Sequence, residues 1–158
     1  SVTFYKHIVG LDVNQYQGST ACLGAGGTDT LLQLTELTES PSQHMQHNHN
    51  GLYHFALLVP TRRQLAHVVN RLIKNHADIQ GYSDHLVSEA VYFNDPDGNG
   101  IEICWDRPRE QWRDENGSIR MSTYPLALDT LMAEACSGHV SSKAIHHNTT
   151  IGLSLIHI

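Results

Sequence analysis

Residues 52–105 carry an order of apolar patterns that few architectures accommodate: a continuous apolar strand, an amphipathic helix, then three short strands. The first strand, 52–59, is closed by Pro60. Thr61 then opens the helix as its N-cap, with Gln64 three residues on to complete a capping box. Along the helix Leu65, Val68, Val69, Leu72 and Ile73 recur at i, i+3, i+4, i+7 and i+8, which makes one apolar stripe for packing on a sheet. The helix is expected to end near Asn75 and His76, with strands at about 82–87, 89–94 and 100–105. Asp95-Pro96-Asp97-Gly98-Asn99 supplies the turn before the last strand.

The same plan, without its leading strand, occupies residues 1–39. Val2, Phe4, Tyr5, Ile8 and Val9 fall at helical spacing and stop at Gly10, which reads as the second half of a helix whose beginning is absent. Strands follow at 12–16, 20–23 and 31–37, the last two joined by a glycine-rich turn. Neither unit can bury a sheet face alone, so the expectation is an α+β fold: paired βαβββ modules, each about 50 residues, forming a curled mixed sheet. The first module lacks its leading strand, residues 40–50 form a linker, and residues 51–110 form the second module. Residues 111–150 read as tail and linker, with a turn at Asn116-Gly117 and a short helix near 126–136. Residues 151–158 read as the start of a further module or as a non-native tail, because 154–158 resemble translated sequencing adapter.

Charge and cysteine content narrow the function. Ten Lys+Arg against 16 Asp+Glu give a net charge of −6, which leaves no basic surface for nucleic acid. The longest apolar run, 55–59, is far short of the roughly 20 residues that cross a bilayer. Cys22, Cys104 and Cys136 are widely spaced with no CxxC, so neither a disulfide framework nor a zinc knuckle is expected, and a cytoplasmic setting fits.

Functional residue types concentrate in the second module: His54 on its first strand, His85 on the second, Tyr92 on the third and Glu102 on the fourth. His54 lies between Tyr53 and Phe55, and Glu102 between Ile101 and Ile103. In a curled sheet such side chains converge on one side, where imidazole and carboxylate can hold a divalent metal. The other reading is a satisfied core histidine and a carboxylate facing water. His44, His47 and His49 sit in a polar stretch that reads as a solvated loop.

Residues 51–56 and 83–102, through His85-Leu86-Val87, Val91-Tyr92, Asp95-Pro96-Asp97-Gly98 and Glu102, resemble the vicinal oxygen chelate superfamily. That superfamily joins glyoxalases, bleomycin-resistance proteins and extradiol ring-cleaving dioxygenases, and the chain is most similar to its bacterial catechol-2,3-dioxygenase branch. One position departs from the signature: Ser83 stands where Gly, Asn, Thr, Ile or Val is usual. The resemblance covers residues 1–124, specific in the second module and generic in the first.

The resemblance implies a non-haem Fe(II), or Mn(II), held by two histidines and a carboxylate. His54 and Glu102 are the expected metal ligands in this chain, and no position safely supplies the third. His85 is the expected acid/base group, because imidazole exchanges protons near neutral pH, and Tyr92 the hydrogen-bond donor to substrate oxygen. The implied reaction is extradiol opening of a small aromatic diol by dioxygen. With two ligands secured, the 158 residues alone are expected to be inactive. Gln33 lies near the first-module counterpart of Glu102, so a second complete site is not expected there. A glyoxalase-type lyase or isomerase, which calls for a second Glu near Gln33, and a non-catalytic ligand-binding module are the alternatives. Homo-oligomer formation is left open.

Overall fold

The protein is described by a computed structural model covering residues 1–37, 54–136 and, as backbone, 150–152. The 40–50 linker with its three histidines and the residues after 152 lie outside the described residues. The first helix stops at Gly10, whose φ of 96° is the left-handed conformation glycine adopts without cost at a helix end. Only Val2–Phe4 (α1) is α-helical. Tyr5–Val9 widens into a π-helical turn, where sequence periodicity predicts a continuous α-helix. Both Gly10 N–H and Leu11 N–H donate to the Tyr5 carbonyl at 2.9 Å, and the Ile8 and Val9 carbonyls at the helix end need donors from elsewhere. Arg71 meets them, its Nε 3.0 Å from Ile8 O and its Nη2 2.6 Å from Val9 O.

Three antiparallel strands follow, β1 (Asp12–Gln17), β2 (Thr20–Gly24) and β3 (Leu32–Thr35), in the order β1-β2-β3. The second unit begins with β4 (Phe55–Leu58) and α2 (Arg62–Lys74). The capping box forms as its spacing requires: Thr61 Oγ1 accepts from Gln64 N–H, and Thr61 N–H donates to Gln64 Oε1, each at 3.2 Å. Leu65, Val68, Val69 and Leu72 are buried, whereas Ile73, expected on the same stripe, is 43 % exposed at its edge.

Strands β5 (Ile79–Asp84), β6 (Ser88–Asn94) and β7 (Gly100–Asp106) complete the unit. β7 pairs with β4 in parallel, and a backbone strand β8 (Thr150–Gly152) pairs with β4 on its other side, so the sheet order is β5-β6-β7-β4-β8. The sequence pattern predicts β5 at 82–87; the structure places it three residues earlier. Asp84 Oδ1 accepts from Leu86 N–H at 2.8 Å, and Leu86 takes a φ of 67°, so residues 85–87 are the hairpin turn. Beyond β7 come a 3-10 turn at Arg109–Gln111, the turn at Gly117 and α3 (Leu128–Cys136). No helix among the described residues is long and apolar enough to cross a membrane.

The two units repeat each other in strand register. Gln15 pairs with Cys22 and Cys22 with Gln33, as Gly81 pairs with Tyr92 and Tyr92 with Glu102. The register slips at the same place in each, between Val13 and Gln15 and between Ile79 and Gly81. Gln33 therefore stands in the first unit where Glu102 stands in the second. One apolar core serves both units, with Tyr5, Val9, Leu23 and Leu34 packed together with Phe55, Val69, Phe93 and Ile103.

Two polar contacts tie the first helix into this core. Arg71 reaches across from α2 to cap the π-turn, and burial pushes its guanidinium down to about 10, still charged at neutral pH. Substituting Arg71→Met leaves the two carbonyls without their donor and is expected to cost about 2–3 kcal/mol in urea unfolding. The second contact joins Tyr5 to the turn before β7: its hydroxyl donates to Asp95 Oδ2 at 2.7 Å. Burial and the neighbouring Asp95 push the Tyr5 phenol upward, so it stays a neutral donor. Asp95 Oδ1 accepts from Asp97 and Asn99 N–H, and Oδ2 also accepts from Asn99 Nδ2. Burial alone raises this carboxyl, but the hydrogen bonds from Asn99, Tyr5 and the backbone outweigh it and hold Asp95 below its ordinary value. The folded state thus holds this proton less tightly than the unfolded chain, and Asp95 contributes stability above the ordinary carboxylate range that disappears as pH falls through its lowered value. Asp95→Asn is expected to remove that part of the acid dependence, seen as a flatter stability curve below about pH 4.5 in chemical unfolding at stepped pH.

Candidate active site

Strand alternation assigns the two faces of the second sheet. Val91, Phe93, Ile101 and Ile103 join the core with α2, so Tyr92 and Glu102, between them, point from the opposite face. Tyr92 and Glu102 are direct cross-strand partners, and the Tyr92 hydroxyl lies 3.0 Å from Glu102 Oε1. The other carboxylate oxygen, Oε2, is 3.0 Å from His54 Nε2. His54 sits one residue before β4 rather than within it as expected, with its neighbour Phe55 paired to Ile101. His54 is 4 % and Glu102 8 % exposed, and the His54 ring meets the Tyr92 ring edge-on at 5.7 Å.

His85 completes the line from the hairpin turn, a correction to its expected place on the second strand. Its Nε2 is 2.9 Å from the Tyr92 hydroxyl. On its other side, Nδ1 is 3.1 Å from the Ser122 carbonyl and 3.3 Å from Thr123 Oγ1. The nearer partner of Nδ1, the Ser122 carbonyl, only accepts, which favours a hydrogen on Nδ1 and a bare Nε2 facing Tyr92; in the other tautomer Thr123 Oγ1 donates to Nδ1. The four residues singled out in the sequence thus form one polar row: His85, Tyr92 and Glu102 joined by hydrogen bonds, and Glu102 in ion-pair contact with His54.

The row can pass a proton. Tyr92 has one hydroxyl hydrogen and two neighbours that accept it. Tyr92 donates to Glu102 when His85 carries a hydrogen on Nε2, and donates to His85 when Nε2 is bare. Both states fit the same heavy-atom positions, which lets a proton move with little reorganisation. A cavity of about 540 Å³ opens beside His54 and Tyr92, with Gly81, Ser83, Asn94 and Gly100 on its walls. A side chain at Gly81, directly across from Tyr92, would meet nothing within 4 Å, so the cavity has free space at that strand. Cys104, one pleat beyond Glu102, stays a neutral thiol: burial, with the charges of Glu102 and Asp106, pushes it up to about 12.

The donors fit a divalent metal in kind and number only partly. An imidazole nitrogen and a carboxylate oxygen face each other in a buried, largely apolar setting, where a cation offsets the cost of the buried charge. The described residues hold no group of three or more His, Cys, Asp or Glu that could bind one ion. His54 and Glu102 are two donors of a larger set.

Behind the row lies a second polar network not expected from the sequence. Glu89, 3 % exposed, accepts from Arg62 Nε at 2.8 Å and from Arg107 Nη2 at 2.9 Å. Arg107 Nη2 also reaches Asp84 Oδ2 at 2.7 Å, and Arg62 reaches Glu134 and the Thr130 carbonyl on α3. The signal was present in the alternation: Glu89 shares its side of β6 with Val91 and Phe93, the core side.

With the geometry established, comparison with known proteins adds lineage. The chain is 39 % identical over a 161-residue alignment to the catechol-2,3-dioxygenase of Bacillus subtilis (strain 168), covering 100 % of this chain and 54 % of that protein. It therefore spans about half the length of that curated relative. Among solved structures, a glyoxalase/dioxygenase from Nostoc punctiforme superposes with a TM-score of 0.55 at 24 % identity, covering 68 % of this chain and 82 % of its own. The cppA protein of Streptococcus pneumoniae TIGR4 superposes with a TM-score of 0.57 at 15 % identity, covering 96 % of this chain and 53 % of its own. These two likenesses establish the fold. Residues 1–103 match the sequence family that unites such proteins, and the chain belongs to the Glyoxalase/Bleomycin resistance protein/Dioxygenase superfamily.

Proposed function

We propose that this chain forms part of an extradiol ring-cleaving dioxygenase that opens catechol-type substrates with dioxygen. The observation that supports this most is the row His85–Tyr92–Glu102–His54, which sets a proton-exchanging pair directly against a candidate ligand pair. His54 Nε2 and Glu102 Oε2 would hold Fe(II), or Mn(II), with a third donor from outside the described residues. When bound, the metal offers catechol and dioxygen a shared attachment point and a path for electrons between them.

The chain's own residues do the rest. His85 Nε2 takes a proton from a catechol hydroxyl and later returns one to oxygen. Tyr92 donates to a substrate oxygen, and between these events it fixes the rotation of Glu102 through Oε1. The cavity beside His54 and Tyr92 accepts the ring. Both atoms of dioxygen end in the product, so the reaction asks for no external reductant. A glyoxalase-type reading calls for a second glutamate at Gln33, where the register sets a neutral amide against Cys22 instead.

The test is oxygen uptake with catechol by the full reading frame that carries these residues, reconstituted with Fe(II) without air. One dioxygen consumed per catechol, with a yellow ring-opened product, is the expected result. Ligand binding without oxygen uptake, retained after metal is stripped, would replace this reading with that of a binding module.

A further inference from the structure

The two polar networks lie on opposite faces of the sheet and meet at one place, the hairpin turn 84–88. On the helix side, Arg107 Nη2 holds Asp84 at 2.7 Å and the buried Glu89 at 2.9 Å. On the site side, the next residue after Asp84 is His85, whose Nε2 faces Tyr92. We propose that Arg107 is a positioning residue for His85: through Asp84 it fixes the turn, and with the returning segment 119–124 it holds the imidazole in the tautomer whose Nε2 serves Tyr92. This rests on the dioxygenase reading only where it assigns His85 a part in the reaction.

Three observations carry it. First, the turn is strained and needs support, because Leu86 has a φ of 67°, a conformation that costs a branched side chain about 1 kcal/mol. Asp84 supplies that support on both sides, accepting Leu86 N–H at Oδ1 and Arg107 at Oδ2. Second, Arg107 grips the turn through its backbone as well, donating its N–H to the Val87 carbonyl at 2.8 Å. Third, the segment that aligns the ring is itself built off Arg107. Trp112 Nε1 donates to the Arg107 carbonyl at 2.7 Å, and Arg120 N–H donates to the Trp112 carbonyl at 2.7 Å. From there the chain returns to pair Tyr124 with Asp84 by two backbone hydrogen bonds of 2.9 Å, which delivers the Ser122 carbonyl to His85 Nδ1. Remove the Arg107 guanidinium and Asp84, which supports the turn at Leu86 and pairs by its backbone with Tyr124, loses its charged partner, while the backbone bonds of residue 107 and the strand pairing of Tyr92 with Glu102 remain.

Both side-chain bonds come from one nitrogen of Arg107, so a lysine ammonium at the same place can make both. That gives the conservative rescue. The experiment is nitrogen NMR of the protein labelled with ¹⁵N-histidine, with His85 assigned by its loss in His85→Gln, at a pH where the ring is neutral. The unsubstituted protein is expected to show one tautomer, hydrogen on Nδ1. Arg107→Met is expected to show a mixture of both tautomers, and Arg107→Lys to restore the single one. A single, unchanged tautomer in Arg107→Met would overturn the proposal. If that variant does not fold, Asp84→Asn is the substitute: it keeps the acceptor for Leu86 but removes the charge that Arg107 grips, and the same mixture is expected.

Turnover then separates this proposal from the dioxygenase reading. In the full reading frame Arg107→Met is expected to lower kcat about 10–100-fold with KM within twofold, as for groups that orient a reacting residue. A shifted tautomer with unchanged kcat would leave Arg107 as the positioning residue and remove His85 from the reaction.

Discussion

Replacing Glu102 with alanine is expected to lower catechol-dependent oxygen uptake by about 10³-fold or more while leaving the fold intact. The two parts of that outcome have separate physical reasons. Glu102 is 8 % exposed and its two oxygens have different tasks, Oε1 to Tyr92 and Oε2 to His54. Without it the row has no carboxylate, His54 is the one remaining donor of the pair, and metal affinity falls with the lost charge. The metal-free fold, by contrast, does not need this side chain. A carboxylate in an apolar strand costs desolvation, so its removal changes metal-free stability by no more than about 1 kcal/mol, in either direction. Glu102→Gln separates charge from shape: it keeps an acceptor for Tyr92 and is expected to be nearly as inactive as the alanine variant. A large loss of stability in both variants would make Glu102 a structural residue.

The second large effect is expected at His85. His85→Gln should lower kcat by about 10²–10⁴-fold, the range for removing a positioned acid/base group, with iron still bound. Glutamine keeps a polar group near Tyr92 but cannot exchange a proton. Iron binding is expected to survive because His85 touches Tyr92 and the 122–123 segment, and contacts neither His54 nor Glu102 directly. Single-turnover oxygen uptake checks it. Loss of iron together with activity would place His85 among the ligands and break the division of roles drawn above.

Much of the fold was legible because one local rule decided each element. The Thr61 capping box and the Leu65–Leu72 spacing specify α2, and the turn residues 95–99 set the register that pairs Tyr92 with Glu102. The repeat was legible for the same reason, down to Gln33 as the counterpart of Glu102. What was misread depends on contacts distant in sequence. The π-turn at Tyr5–Val9 answers to Arg71, more than 60 residues on. The early end of β5 answers to Arg107 and Tyr124 at Asp84, and no propensity places a leucine at positive φ.

The candidate site divides along the same line. His54, Tyr92 and Glu102 stand out because each is polar within an apolar strand, and pleat alternation alone brings the last two together. His85 stood in the same cluster of functional residue types and took its role from the resemblance, but its reach to Tyr92 depends on the turn. The pairing of Arg107 with Glu89 shows only once the sheet faces are assigned. The Ser122 carbonyl carries no sequence signal at all, since any residue supplies one.

Bound iron decides whether His54 and Glu102 are metal ligands. The full reading frame and its His54→Ala, Glu102→Ala and His85→Gln variants are loaded with Fe(II) without air, freed of excess metal and assayed for bound iron beside oxygen uptake. One iron per chain and full uptake are expected in the unsubstituted protein, one iron without appreciable uptake in His85→Gln, and little iron in the other two. Iron retained at full occupancy in both His54→Ala and Glu102→Ala would contradict their assignment as ligands.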